Sequence, residues 1–122
     1  MTKSLVVWFD VPVKDLARAK GFYEAVLGWS IVEEVPGVAV FAHDSEMTGG
    51  CLTLDEKVQP TAEGALLYYN VSGRHDEAEA LVAAHGGEVL LAKHAIGPFG
   101  YRSIVRDSEG NRIALHSEAE VA

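Results

Sequence analysis

Apolar and polar positions along this chain follow an order of elements that occurs twice. The first half opens with an apolar and aromatic run over residues 5–11, which predicts a buried strand that Pro12 should end. Apolar residues then recur at helical spacing, with Asp15 as the predicted N-cap and Gly28 as the end of the helix. Three further strands are predicted, over residues 29–35, 38–42 and 51–54, the last introduced by Gly49-Gly50.

The second half repeats this order after a polar connector over residues 55–64. A strand is predicted over residues 66–71, and Ser72 is the candidate cap of a second helix that Gly86-Gly87 ends. The buried stripe of this helix is predicted to be Ala78, Leu81, Val82 and His85. The last three strands are predicted over residues 88–92, 101–105 and 112–116.

The two halves are related in sequence as well as in pattern. One constant offset places Val13 on Val71, Gly28 on Gly86 and Ile31 on Val89, which indicates an internal duplication. Each half is too small to bury a core alone, so we expect one domain over residues 1–122, with modules at 1–56 and 64–118. A ferredoxin-like sandwich is disfavoured, because four strands rather than two lie between the predicted helices.

Composition and charge narrow the class of protein. The 122 residues are 48% hydrophobic and 23% charged, as in ordinary globular domains, and no apolar run approaches the roughly 18 residues that a membrane span needs. The start of the chain lacks a secretory layout, and the single cysteine, Cys51, suits a reducing compartment, so a soluble cytoplasmic protein is expected. A net charge of −8 argues against nucleic-acid and anionic-membrane partners, and leaves small molecules and proteins.

Two motifs carry a resemblance to a known family. The opening VPVKDLARAKGFYEAVLG and the closing RDSEGNRIALH, together with the duplicated βαβββ pattern, resemble the vicinal oxygen chelate superfamily, which includes glyoxalase I, extradiol dioxygenases and bleomycin-resistance proteins. The resemblance covers nearly the whole chain, with Ser108 where the family usually has proline. It implies an α+β fold in which two tandem βαβββ modules form a curled mixed-sheet cup with the helices outside, and it implies a homodimer.

The same resemblance implies where a metal would be bound. In the family four side chains inside the cup hold a divalent metal, and the motifs carry these positions onto Trp8, Thr53, Leu66 and Ala114. Catalytic metals require imidazole, carboxylate or thiolate ligands, and a lone threonine hydroxyl is a poor substitute. We therefore expect neither a metal nor another cofactor.

Strand alternation predicts what the cup contains instead. By this alternation Trp8, Asp10, Leu66, Tyr68, Asn70, Ala114 and His116 face the cup. The other candidate ligand-pocket residues are Thr53, from the family resemblance, and His94, Phe99 and Arg102, from their positions in or near the loop that follows the strand of His94. Residues of the other parity, such as Phe9, Val11 and Tyr69, should face the helices. Apolar walls with few polar groups are typical of a small-molecule pocket, although the same aromatic residues can simply fill the cup as core.

Three residues are candidates for catalysis. His94 lies beside a glycine-rich loop that carries Phe99 and can orient a ligand or transfer a proton, and His116 and Asp10 are inward by parity. Arg102 either pairs with Asp10 or binds a ligand carboxylate. A displaced metal set of Asp10, His94 and His116 has no support from spacing. His43, His75 and His85 are predicted to be surface or boundary residues.

Three functions stay open at this stage. The preferred one is a small-molecule binding protein of the superfamily that lacks the usual metal ligands and takes a small aromatic or apolar compound. The second is a lyase or dioxygenase-like enzyme that uses a displaced metal or metal-free histidine chemistry. The third is a structural or partner-binding module whose cup is filled by its own side chains.

Overall fold

Two four-stranded sheets, each with one helix, make up the computed structural model, which describes residues 4–118. The elements are β1 (Trp8–Val13), α1 (Leu16–Leu27), β2 (Ile31–Val35), β3 (Val38–Phe41), β4 (Gly49–Leu54), β5 (Leu67–Asn70), α2 (His75–Ala84), β6 (Glu88–Ala95), β7 (Tyr101–Arg106) and β8 (Arg112–Ser117). The strand orders are β1-β4-β3-β2 and β5-β8-β7-β6, with the β1–β4 and β5–β8 pairs parallel and the rest antiparallel. This architecture confirms the α+β fold class with two βαβββ units.

The helix ends match the predictions in the first unit and differ in the second. Asp15 caps α1 by accepting a hydrogen bond from the Arg18 amide, and Gly28 ends the helix with a φ of 65°. The prediction that Ser72 caps α2 is wrong, because Arg74 holds the N-cap position and the Ser72 hydroxyl accepts from the Glu118 amide instead. His85 is an exposed C-cap residue rather than part of the buried stripe.

Several strand boundaries also differ from the sequence pattern, and the structure explains those at Pro12 and Gly49. Pro12 lies inside β1 rather than ending it, because β1 is an edge strand that pairs with β4 alone and can leave the proline nitrogen unbonded. Strand β4 begins at Gly49, two residues earlier than predicted. A Cβ at Gly50 would lie 2.3 Å from the Phe9 ring, and one at Gly49 would lie 2.7 Å from the Trp8 ring, so the two glycines make room for neighbouring aromatic side chains.

One hydrophobic core lies between the helix-facing sides of both sheets. The cluster joins β1 and β4 of the first unit to β5 and β8 of the second and includes residues of both helices. Tyr69 on β5 shows how closely the units pack: its ring centroid lies 6.0 Å from Phe9, 5.6 Å from Tyr23 on α1 and 5.9 Å from Phe41 on β3. The opposite face of each sheet, which carries Trp8 and Tyr68, is left open.

Polar contacts from the β7–β8 loop fix the second unit against the start of α1. The side chain of Glu109 is fully buried, and its carboxylate accepts hydrogen bonds from the amides of Lys14 and Asp15, both at 2.8 Å, and from the guanidinium of Arg18 at 2.7 Å. Burial alone would raise the pKa of Glu109, but these bonds and one from Ser108 outweigh it and lower the pKa to about 2.

Asp107 and Asn111 of the same loop make two further links. Asp107 accepts a 2.5 Å hydrogen bond from the hydroxyl of Tyr23, and the Asn111 amide donates to the carbonyl of Pro12 at 2.9 Å. Burial, followed by the electrostatic effects of Tyr69 and Asp107, raises the pKa of Tyr23 well above its usual range, so the phenol stays protonated and donates. The loop therefore contacts both β1 and α1 of the other unit.

We predict that Glu109→Gln lowers the free energy of unfolding by on the order of 3 kcal/mol at pH 7, because the neutral amide cannot accept all these hydrogen bonds as a carboxylate does. Because the pKa of Glu109 is lowered on folding, the contribution of Glu109 to stability is fully present above the unfolded pKa of 4.5 and is lost as pH falls towards about 2. Urea unfolding at several pH values measures both effects. Glu88→Gln, which breaks an exposed pair with Arg106, is the control; equal losses in the two variants would contradict the prediction.

Candidate functional site

A row of polar side chains crosses the open face of the second sheet. Strand register places Asn70 beside His116, His116 beside Arg102, and Arg102 beside His94, so one residue from each of the four strands lies in the row. Residues that are directly opposite on neighbouring strands project from the same face, which explains why these four side chains are together. Tyr68, two positions before Asn70, projects from the same face.

Arg102 connects this row to Tyr68. Its Nη1 donates to the Tyr68 hydroxyl at 2.8 Å, and its Nε and Nη2 lie 3.2 Å and 3.1 Å from the Nε2 of His94. The Tyr68 ring also makes an edge contact with the His116 ring at 6.1 Å. We refer to Tyr68, His94, Arg102 and His116 as the Arg102 group.

Hydrogen-bond partners define the protonation pattern of this group. The Nδ1 of His94 lies 2.9 Å from the carbonyl of Ala92 and must donate to it, so Nε2 carries the lone pair that accepts from Arg102. The Nε2 of His116 likewise donates to the carbonyl of Phe99 at 2.7 Å. The His94 imidazole is therefore neutral, and the Tyr68 hydroxyl, which accepts from Arg102, retains its own proton for donation.

A separate set of side chains lies on the open face of the first sheet. The carboxylate of Asp10 accepts from the Trp8 indole N–H at 3.0 Å and from the Cys51 thiol at 3.2 Å, and the Trp8 ring contacts His43 at 5.4 Å. Burial, followed by the bond to Asp10, raises the pKa of Cys51 to about 11, so the thiol is protonated and unreactive. Asp10 is thus engaged by Trp8 and Cys51, and the alternative in which it pairs with Arg102 does not hold.

The positions that correspond to the family metal site do not suit a metal. Trp8 lies on β1, Thr53 on β4 and Ala114 on β8, while Leu66 directly precedes β5. Their side chains offer a single hydroxyl and no imidazole, carboxylate or thiolate. Within residues 4–118, no three His, Cys, Asp or Glu side chains are grouped so that they could hold a metal ion.

A cavity of about 340 Å³ lies between the two units, on the helix-facing side of the first sheet. We call it the junction cavity. Its walls are mainly apolar, and the exposed side chains of Val6, Trp29, Met47 and Tyr68 contribute to it. Its lining consists of Val6, Phe9, Leu27, Trp29, Phe41, Ala42, Met47, Thr48, Gly50, Leu67, Tyr68, Tyr69 and Asn70.

The predicted pocket residues are therefore divided among three places. Tyr68 and Asn70 line the junction cavity, and Tyr68 also belongs to the Arg102 group with His94 and His116. Trp8 and Asp10 lie on the first sheet, while Phe99 is 74% exposed in the turn after β6. Strand parity missed Trp29 and Phe41, which line the cavity from the other face.

His75 occupies a buried polar position rather than the surface or boundary position expected from the sequence. Its Nε2 lies 2.7 Å from the Ser103 hydroxyl, which donates to the Glu79 carboxylate at 2.8 Å, and its Nδ1 lies 2.6 Å from the Ser117 hydroxyl. Burial lowers the pKa of His75; Lys93 and His116 lower it further, while Glu79 and Asp76 oppose the shift. The folded chain therefore favours neutral His75.

One protein family and two mycobacterial proteins are similar to this chain in sequence. Residues 6–42 match the family described as bleomycin resistance protein-like N-terminal. Two mycobacterial proteins named CFP32 and described as candidate glyoxylases, from Mycobacterium bovis and Mycobacterium tuberculosis, are each 27% identical over 113 residues. That alignment covers 88% of this chain and 43% of each relative, so the chain spans less than half the length of the curated relatives it matches.

Solved structures share the fold over almost the full chain. A glyoxalase-related enzyme from Fulvimarina pelagi superposes with a TM-score of 0.74 at 17% identity, covering 95% of this chain and 88% of its own. A glyoxalase/bleomycin resistance protein from Albidiferax ferrireducens gives a TM-score of 0.71 at 23% identity, covering 94% and 99%. Neither helix formed by residues 4–118 has the length and apolar character to cross a membrane.

We predict that acid destabilises the protein through His75. Because burial lowers the folded-state pKa, the unfolded chain binds the proton more readily, and stability is lost as pH falls below about 6.5, the ordinary pKa of histidine. Urea unfolding at pH 7.5 and 5.5 should show this loss in the wild type and a smaller loss in His75→Gln. His85→Gln, at the exposed end of α2, should keep the wild-type difference; an unchanged difference in His75→Gln would refute the assignment.

Proposed function

We propose that the chain is a member of the vicinal oxygen chelate superfamily of glyoxalases and bleomycin-resistance proteins, and that it binds a small, apolar or aromatic molecule without a metal ion. The junction cavity is the observation that carries the proposal. Its volume of about 340 Å³ lies within the range of roughly 300–1,000 Å³ that is usual for small-molecule pockets.

The chemistry of the cavity wall supports an aromatic ligand. Phe9, Phe41, Tyr69 and Trp29 are among the residues that line it. The Trp29 indole N–H is already bonded to the Ala42 carbonyl at 2.7 Å, so the ring presents carbon surface and little hydrogen-bonding capacity. Flat apolar molecules gain from such a site because they bury their own surface against ring faces and edges.

The donor set supports binding that does not depend on a metal. Trp8, Leu66 and Ala114 cannot coordinate a cation, and Thr53 alone would hold one weakly. The predicted displaced set of Asp10, His94 and His116 has no support, since Asp10 is bonded to Trp8 and Cys51 while the two histidines belong to the Arg102 group. The single cysteine is consistent with a reducing, cytoplasmic location, which is part of the same proposal.

An acid–base enzyme is the second candidate function, and the Arg102 group favours it. The imidazoles of His94 and His116 belong to one group with the Tyr68 hydroxyl, which keeps its own proton, and imidazole and hydroxyl groups are able to transfer protons. The two functions differ in whether the bound compound is changed chemically. A binding protein returns the compound unchanged after long incubation, as mass spectrometry would show, whereas an enzyme returns a product that is lost in His94→Ala.

We also propose that the chain forms a homodimer. Large apolar side chains are exposed on or beside the open faces of the two sheets: Trp8 is 43% exposed, Tyr68 48% and Leu91 46%. Both β1 and β5 are edge strands, and edges and open faces of this kind are usually covered by a partner. In such a dimer, the open face of the first sheet of one copy would lie next to the open face of the second sheet of the other copy.

A larger side chain at the edge of the junction cavity should weaken ligand binding without disturbing the fold. Ala42 lines the junction cavity and is exposed, so we predict that Ala42→Phe weakens the binding of naphthalene at least about tenfold, measured by quenching of tryptophan fluorescence. Ala84→Phe, on the exposed side of α2, is the control and should bind like the wild type. Removal of metals by a chelator should leave the wild-type affinity unchanged, and loss of binding on chelation would overturn the metal-free proposal.

The dimer can be measured directly. Sedimentation equilibrium at micromolar concentration should give about twice the chain mass of 13.1 kDa. Leu91→Glu places a charge on the exposed apolar surface and should shift the equilibrium to the monomer, whereas Ala84→Glu, on the exposed side of α2, should leave it unchanged. A wild-type mass equal to one chain would show that the open faces are not covered by a second copy.

A further inference from the structure

We infer that the ligand of the junction cavity is a carboxylate, and that Arg102 binds its anionic end. This inference rests on the proposed function and adds the chemical class of the ligand. It comes from three features of the Arg102 group: the charge that Arg102 carries, the hydrogen bonds that are still available, and the position of Tyr68.

The charge of Arg102 is not neutralised by its contacts. Its three hydrogen bonds go to the phenol of Tyr68 and the imidazole of His94, which are both neutral acceptors. No ion pair within residues 4–118 includes Arg102, whereas Arg106, four residues further along β7, is paired with Glu88 at 2.7 Å. In a chain of net charge −8, carboxylates are abundant, and the guanidinium nonetheless lies among neutral groups.

The remaining donors of the group fit an oxygen anion. The contacts to His94 and Tyr68 use the Nε–H and one N–H on each terminal nitrogen, so the second N–H of Nη1 and of Nη2 is left for a ligand. Both N–H groups lie in the plane of the guanidinium and can donate to carboxylate oxygens. The Tyr68 hydroxyl, which accepts from Arg102, can donate its own proton to the same anion.

His94 acts as a positioning residue. It is held by the Ala92 carbonyl through Nδ1, and its Nε2 accepts from two nitrogens of the guanidinium, which fixes the plane of the Arg102 fork. A side chain that is held in one orientation loses less conformational entropy when it binds a ligand. The group is therefore organised for the anion before the ligand arrives.

Tyr68 joins this donor set to the junction cavity. Tyr68 is among the residues that line the cavity, and its hydroxyl is bonded to Arg102, so the cavity and the donor set share this residue. Asn70 lines the same cavity and lies beside His116 in the polar row. A molecule with a flat apolar body and a carboxylate can contact both regions, with the body between the aromatic side chains and the carboxylate on Arg102.

Calorimetric titration with 2-naphthoate and 2-naphthamide tests the inference, since the two probes have the same shape and differ in charge. The wild type should bind naphthoate at least about tenfold more tightly. Arg102→Gln should reduce naphthoate affinity to that of naphthamide and leave naphthamide unchanged, which also shows that the variant is folded. Arg106→Gln is the matched control and should bind both probes like the wild type.

Two further variants separate charge from geometry. Arg102→Lys keeps the charge but loses the planar fork and should recover only part of the naphthoate preference. Tyr68→Phe keeps the ring and removes the hydroxyl, and should weaken naphthoate severalfold while naphthamide is unaffected.

The outcomes distinguish this inference from the function on which it rests. Equal binding of the two probes by the wild type, or a naphthoate preference that persists in Arg102→Gln, would overturn the carboxylate assignment and leave the cavity proposal in place. If neither probe binds, both the carboxylate assignment and the cavity proposal are overturned.

Discussion

Burial of the Glu109 carboxylate is the interaction on which the relation between the two units depends. The side chain belongs to the second βαβββ unit. Its carboxylate accepts hydrogen bonds from two backbone amides and a guanidinium at the start of α1, in the first unit. A buried charge without those partners would be strongly unfavourable, so the two units are held in one orientation. That orientation lets Tyr69 pack against Phe41 and Tyr23, and it leaves the junction cavity beside Phe9.

Most of the fold could be predicted from the sequence because its signals are local. Asp15 and Gly28 define a helix by their own cap chemistry, and the repeat predicts the second unit from the first. The errors come from tertiary context. Pro12 remains in a strand because β1 has a free edge, and Ser72 does not cap α2 because the chain end near Glu118 takes its hydroxyl. Such competition between partners is not visible in the order of residues.

The candidate site was less predictable, and for a geometrical reason. Strand parity correctly placed Tyr68 and His116 on one face, but His94 reaches Arg102 only after two register irregularities between β6 and β7, which a count of alternating positions does not include. Phe9 and Tyr69 were assigned to the core side, and they do lie there, yet that side also contains a cavity. Whether an aromatic side chain fills space or lines it depends on its neighbours in three dimensions.

The absence of a side chain at Gly50 affects how the size of the junction cavity could change by substitution. The Phe9 ring occupies the volume next to that α-carbon, and both residues face the junction cavity. Enlarging position 50 would push the ring inwards and shrink the space for a guest, while pairing the enlargement with a smaller residue at position 9 would restore it. Two adjacent positions on neighbouring strands thus form a size filter that evolution, or a protein engineer, can adjust without altering any hydrogen bond that joins the two units.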